Sequence, residues 1–292
     1  MTAATVIRDK AGAYARLMRW HRPIGTLLLL WPTLWALWIA GQGDPPLAVV
    51  GIFAVGTFLM RSAGCVINDF ADREFDPHVQ RTASRPLATG AVQPWEAVAL
   101  FVGLCLVAFA LVLTLNRLTV YLALVGAVLA ATYPFFKRFT HMPQAYLGIA
   151  FGWGIPMAFA AVTGGVPAVA WLLLAANIAW TLAYDTMYAM EDRPDDLSVG
   201  ARSTAILFGH WDRAVVAVFQ LVSLALLVLA GAQAEILGPW YGLGLAGFAA
   251  FGAYQQWLIR HRARGPCLGA FLNNRWAGGT VFAGIAAQYW LG

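Results

Sequence analysis

This sequence predicts an all-α integral membrane protein with nine transmembrane helices, and three observations carry the prediction. Of its 292 residues 60% are hydrophobic and 11% charged, too few ionic groups to coat a soluble globule of this size. Nine mostly apolar windows lie between charged or Pro/Gly-rich breaks. Each has about the 20 residues that a helix needs to cross a hydrocarbon core roughly 30 Å thick. None alternates apolar with polar residues as membrane-barrel strands do, which leaves helices as the spanning element.

In chain order the windows are 24–41, 46–67, 95–115, 118–136, 144–162, 166–188, 213–231, 238–258 and 276–291, and the chain reads as one domain, 1–292. Residues 1–23 interleave basic positions with Tyr14, Leu17 and Met18 and have no small-residue cleavage site before a short apolar core. They are expected to form an interfacial helix and not a removed signal peptide. With a cytoplasmic amino terminus, seventeen of the nineteen Lys and Arg fall on the cytoplasmic side, Arg117 alone on the other, and Arg61 within a span. That asymmetry predicts the amino terminus inside and the carboxyl terminus outside.

The net charge of +5 thus follows topology, and the basic residues do not cluster with exposed aromatics, so nucleic acid is not an expected partner. Cys65, Cys105 and Cys267 lack paired spacing, and the five histidines share no ligand spacing, so neither a disulfide framework nor a zinc or haem site is expected. The thirteen tryptophans mostly lie near window ends and read as interfacial belts. No GxGxxG or P-loop precedes a helix, which leaves nucleotide binding unsupported.

Connections on the two sides differ in length. The outer ones, such as 41–44 and 164–165, are turns, whereas the inner stretches 68–94 and 191–212 exceed twenty residues. Nine of the fourteen acids fall in positions 69–76 and 185–196. Two motifs there echo each other as DRxxD, Asp72 to Asp76 and Asp192 to Asp196, at an offset of 120 residues after the second and sixth windows. The echo predicts two four-helix repeats plus one helix. Turn signals at Thr89-Gly90 and Gly209 close both stretches, consistent with ordered lids over a cavity.

On a helix Asn68, Asp72 and Asp76 would form one row of oxygens, with Asp69 beside it, and Asp185, Asp192 and Asp196 a second row. Oxygen ligands without His or Cys suit a hard cation such as Mg²⁺, which takes one or two carboxylates, waters and phosphate oxygens. Two facing rows could hold metal ions with a diphosphate between them. Cleavage of an allylic diphosphate builds charge on the leaving group, which metal ions and cationic side chains stabilise. Arg73, Arg81, Arg85, Lys137, Arg138, Arg193 and Arg202 all fall on the same side. A solvated helix end whose charges pair with one another is the competing reading of a single such motif.

Arg61 lies seven residues before Asn68 on the same helical face, and a charge within the bilayer faces a cavity or a partner. It binds an acidic acceptor or the diphosphate, or else pairs with a buried acid. Arg22 is either a second anion ligand or a headgroup contact. Asn177, Thr181, Tyr184 and Asp185 form a polar row that lines a wet pocket, unless Asn177 serves as interhelical glue. Tyr133 and Lys137, four apart, offer a further anion contact, with a positive-inside anchor as the alternative for Lys137.

The stretches 22–35, 61–76, 81–90, 133–140 and 184–209 together resemble the UbiA superfamily of intramembrane prenyltransferases, most closely its 4-hydroxybenzoate branch. The most specific is YDTMYAMEDRPDDLSVGARSTAILFG, and neither acidic motif departs from the family pattern. The resemblance implies nine helices around a central cavity capped at its cytoplasmic end by the two motifs, in a bacterial inner membrane. It implies polyprenyl diphosphate and 4-hydroxybenzoate as substrates, with Asn68, Asp72, Asp192 and Asp196 holding Mg²⁺ and diphosphate and Asp69, Asp76 and Asp185 in support. The long hydrocarbon tail of the donor would lie against the lipid bilayer. An ion-coupled transporter is the rival from another class, and a naphthoate or homogentisate acceptor the nearer one.

Overall fold

Each of the nine apolar windows is occupied by helix in the computed structural model, which describes residues 3–74, 76–78, 82–136, 140–200 and 202–292. The elements are α1 (Ala3–Leu17), α2 (Ile24–Ala40), α3 (Leu47–Asp72), α4 (Pro94–Val112), α5 (Arg117–Phe136), α6 (Pro143–Gly152), α7 (Gly154–Thr163), α8 (Ala168–Val199), α9 (Thr204–Phe208), α10 (Asp212–Gln233), α11 (Pro239–Leu258) and α12 (Arg264–Leu291). The described residues contain no strand. Six helical stretches among them are long and apolar enough to cross a membrane: α3, α4, α5, the α6–α7 pair, α8 and Thr204–Gln233. The all-helical expectation therefore stands as an integral membrane protein.

The helices outside that set carry polar side chains that satisfy one another. Gln255 of α11 accepts from Gln220 of α10 (2.8 Å) and donates to Asn273 of α12 (3.0 Å). Such amide pairs let polar residues sit between packed helices without water. At Gly244 and Gly284 the α11 and α12 backbones meet so closely that a Cβ on either would lie 2.9 Å or less from the other's Cα. The α6–α7 break at Trp153 has a local cause: Pro156 has no N–H for the Gly152 carbonyl, so the ladder is interrupted one turn earlier.

Three boundaries differ from the sequence expectation, and the simplest is α12, which begins at Arg264, twelve residues before the window 276–291. The stretch from 191 is not a loop, because α8 continues through the whole second motif and stops only at Gly200, whose φ of +68° suits a glycine cap. The charges there mark the end of the apolar window and not the end of the helix. Conversely, Asn68, Asp72 and Asp76 do not form one helical row. Helix α3 ends at Asp72, and Asp76 opens a 3-10 turn (Asp76–His78). Pro77 disfavours helical backbone at the residue before it and cannot donate to the ladder.

Packing is uneven. The largest buried side chains, Trp35, Trp180, Tyr184 and Tyr241, hold α2, α8, α10, α11 and α12 together. In the apolar windows of α4 and α5 only 11% of residues are buried, against 67% in α8, so these two helices are an outer wall facing lipid. Trp95, Trp171, Trp211, Trp240, Trp257 and Trp290 are exposed near helix ends, as interfacial belts require. The apolar face of α1 is not left to lipid: Ala13, Leu17 and Met18 are buried against Val66, Leu87, Val92 and Ala97.

Candidate active site

A cavity of about 500 Å³ opens between α2, α3, α4, α5, α6, α7, α8 and α12. Its wall divides by chemistry. One end is polar, with Arg16, Arg19, His21, Arg22, Arg61, Asn68, Asp69, Arg85 and Asp185. The rest is apolar, from Met60, Phe53 and Ile52 on α3 to Phe109 and Val112 on α4, Ala123 and Ala127 on α5, and Trp153 and Met157.

The first motif supplies the polar end from α3. Asn68 donates its amide to Asp72 (3.4 Å), the contact expected four residues apart on a helix. Asp69, one of the least exposed acids, pairs with Arg19 (2.6 Å) and Arg85 (3.0 Å). The same Arg85 nitrogen reaches Asp76 (2.9 Å), so one guanidinium ties the turn after α3 to the cavity wall. Burial pushes the Asp76 carboxyl above its usual range, with Asp69 and Asp72 adding to the effect and Arg85 opposing it. Arg73 bends back to the Phe70 carbonyl and ring and to Glu74.

Among the described residues Arg61 pairs with no acid at salt-bridge distance. It donates to three main-chain carbonyls, those of Met18 (2.9 Å), Arg19 (3.2 Å) and Arg22 (2.9 Å). These carbonyls belong to the turn after α1, so the half-buried guanidinium caps that turn and fixes its path into α2. Gly25 makes room, since a Cβ there would lie 2.7 Å from Arg61 Nε. The turn brings Arg16, Arg19, His21 and Arg22 to the cavity. Burial and the four surrounding arginines hold the His21 imidazole below its usual range.

The second motif arrives on α8. Asp185 lines the cavity, and Asp192 and Asp196 lie close enough for their charges to act on it. The other charges of this segment are anchored elsewhere. Asp212, fully buried just ahead of the apolar window 213–231, accepts from Arg193 and pairs with Arg262 (2.8 Å), while Asp195 pairs with Arg264 (2.6 Å). Burial opposes ionisation of Asp212, but Arg262 and Arg193 outweigh it and hold the carboxyl below the usual range.

Of the candidates, Arg22, Arg61, Asn68, Asp69, Arg85, Tyr133, Tyr184 and Asp185 line this one cavity. Asp72, Arg73, Asp76, Asp192, Asp196 and Arg202 are not in its lining. Asn177 is fully buried and donates to the Gly148 carbonyl (3.0 Å), which is the interhelical reading. Tyr133 donates to the Gly64 carbonyl (3.2 Å). Arg81, Lys137 and Arg138 lie outside the described residues. Sequence reasoning missed Arg16, Arg19, Tyr188 and Phe271. Tyr188, one turn beyond Tyr184, was within reach of the helical spacing, whereas nothing local marks Arg19 or Phe271.

Among the described residues no three Asp, Glu, His or Cys side chains gather as a ready metal cage. The donors that the polar end offers are oxygens on both α3 and α8. That set suits a hard cation that keeps waters and completes its shell with phosphate oxygens, as Mg²⁺ does.

Residues 29–278 match the model of the UbiA prenyltransferase family. Over 287 residues the chain is 58% identical to a 4-hydroxybenzoate octaprenyltransferase from Methylococcus capsulatus, covering 98% of each protein. Among solved structures, a UbiA homologue from Aeropyrum pernix superposes with a TM-score of 0.76 at 28% identity, over 88% of this chain and 96% of that one. A UbiA homologue from Archaeoglobus fulgidus, bound to GPP and Mg²⁺, shares the fold with a TM-score of 0.69 at 15% identity, over 94% and 99% of the two chains.

Proposed function

The chain belongs to the UbiA prenyltransferase family, and from that membership we propose how its residues carry out the family's chemistry. It is a Mg²⁺-dependent aromatic prenyltransferase. It transfers a polyprenyl chain from polyprenyl diphosphate to the ring of 4-hydroxybenzoate, ortho to the phenol, releasing diphosphate in a step of ubiquinone biosynthesis. The single domain spans the bacterial inner membrane nine times as two four-helix repeats and a ninth helix. The positive-inside asymmetry supports a cytoplasmic amino terminus and a cytoplasmic polar end.

The observation that carries this reading is the shared cavity. Asn68 and Asp69, on α3 just ahead of the first motif, and Asp185, on α8 seven residues before the second, face one chamber whose remaining wall is apolar. A diphosphate at the polar end places its tail along that wall, next to lipid-facing α4 and α5. Asn68, Asp72, Asp192 and Asp196 would hold Mg²⁺ with the diphosphate. The ion supplies charge neutralisation of the departing diphosphate. Arg22, Arg85, Arg202, Lys137 and Arg138 add positive charge on the same side.

The C1–O bond breaks with its electron pair leaving on diphosphate, and the ring carbon ortho to the phenol supplies the pair for the new C–C bond. Loss of the ring proton to solvent restores aromaticity. Asp185 accepts a hydrogen bond from the phenol and raises the electron density of the ring, while Tyr133, Tyr184 and the apolar wall keep water from the cation. Membranes containing the protein, supplied with 4-hydroxybenzoate, Mg²⁺ and a mixture of polyprenyl diphosphates, should yield prenylated acid identifiable by mass. A product formed only with a naphthoate or homogentisate would reject the acceptor.

A further inference from the structure

We propose that Arg19 takes the carboxylate of the aromatic acceptor by exchanging one carboxylate partner, Asp69, for another; the inference rests on the acceptor named above. Five arginines line the polar end, and their existing partners separate them. Arg61 is committed to the three carbonyls of the α1–α2 turn. Arg85 bridges Asp69 and Asp76, so moving it would unfasten the turn after α3. Arg19 holds Asp69 at 2.6 Å through a single nitrogen and keeps 27% of its side chain exposed.

The exchange leaves no buried charge stranded. Asp69 has two arginines, and when Arg19 turns to the substrate, Arg85 still stands 3.0 Å from the same oxygen. An unpaired Asp69, with 2% of its side chain exposed, would be strongly unfavourable. The backbone adds a second observation. Arg19 has φ of +54°, a left-handed conformation that a long side chain rarely adopts. It is the residue at which α1 is capped, where the Trp20 N–H closes on the Ala15 carbonyl (3.1 Å), and Arg61 on the Met18 and Arg19 carbonyls fixes the same turn.

Recognition of a para-hydroxy acid needs a cation at one end and a hydrogen-bond acceptor at the other. Arg19 and Asp185 both line the cavity and offer these two groups, with Tyr133, Tyr188 and Phe271 lining the same space for the ring. A guanidinium also presents the planar fork that a carboxylate matches.

The test compares 4-hydroxybenzoate with its methyl ester in the wild type, Arg19→Met and Arg19→Lys, at saturating polyprenyl diphosphate. Arg19→Met should lower kcat/KM for the acid about tenfold or more, chiefly through KM, as expected for loss of a charge-assisted contact. Turnover of the ester and KM for the donor should stay unchanged, which also shows the variant to be folded, and Arg19→Lys should fall between. Equal losses on acid and ester, or a dominant rise in KM for the donor, would overturn the assignment and give Arg19 to the diphosphate. A wild type inert toward both acceptors but active on another ring would overturn the functional reading and this assignment with it.

Discussion

Replacing Arg61 by Met removes the cation that closes the α1–α2 turn while keeping an apolar stem of similar length. Three hydrogen bonds disappear, to the carbonyls of Met18, Arg19 and Arg22, all between 2.9 and 3.2 Å. Bonds to a charged donor can contribute more, but this turn is partly open to solvent, so about 1 kcal/mol each is the working value, roughly 3 kcal/mol in all. That corresponds to about a hundredfold rise in the population of the opened turn. Hydrogen exchange read by mass spectrometry should show faster exchange across residues 18–23, while peptides from α8 and α11 keep the wild-type rate. Activity should fall because Arg19 and Arg22 are no longer aimed at the cavity. Arg61→Lys keeps the charge but not the fork and should recover only part of the protection. Wild-type exchange at 18–23 in Arg61→Met would refute the capping role and return Arg61 to direct substrate binding.

Asp212→Asn removes a fully buried carboxylate shared by Arg193 and Arg262 and should lower stability by about 2–4 kcal/mol, below the full range for a buried pair because Arg262 is 36% exposed. Because the folded carboxyl titrates below its unfolded value of about 3.9, its stabilisation is complete above that pH and fades as pH falls through the lower folded value. The Asn variant should lose this acid limb of the thermal-unfolding profile, and an unchanged profile would contradict the ion-pair account. Gly56→Leu should select shorter donors: Gly56 lines the cavity about 18 Å along α3 from Asn68, at 1.5 Å per residue, and a Cβ there meets nothing within 4 Å. Competition between long and short polyprenyl diphosphates measures this, and an unaltered length profile would place the tail elsewhere.

Much of this architecture was legible because lipid imposes a length on every span, so apolar windows such as 118–136 translate almost directly into helices such as α5. Beyond the membrane boundary that constraint is gone, and conformation was harder to read. The two DRxxD motifs share letters but not geometry: Pro77 ends helical backbone before the first motif closes, and Asp76 turns to Arg85, whereas α8 carries the second motif intact past Pro194. A repeated string therefore marked a repeated place in the fold without fixing the conformation there. Arg19 and Asp69 lie 50 residues apart and meet because α1 docks on α3 and α4, through the apolar packing of Ala13 and Leu17 and through Glu96, which holds Lys10 (2.7 Å) and Tyr14 (2.8 Å). Helical spacing predicts neighbours within one helix and is silent between helices. For that reason Asp185 was found, while Phe271 on α12 was not.

A double-mutant cycle across the two motifs tests the central claim most directly. If Asp72 and Asp192 act through one Mg²⁺–diphosphate unit, Asp72→Asn and Asp192→Asn should each reduce the rate of diphosphate release nearly as much as both together. The residual rate should no longer respond to added Mg²⁺. Losses that multiply independently, or full activity in excess EDTA, would contradict it.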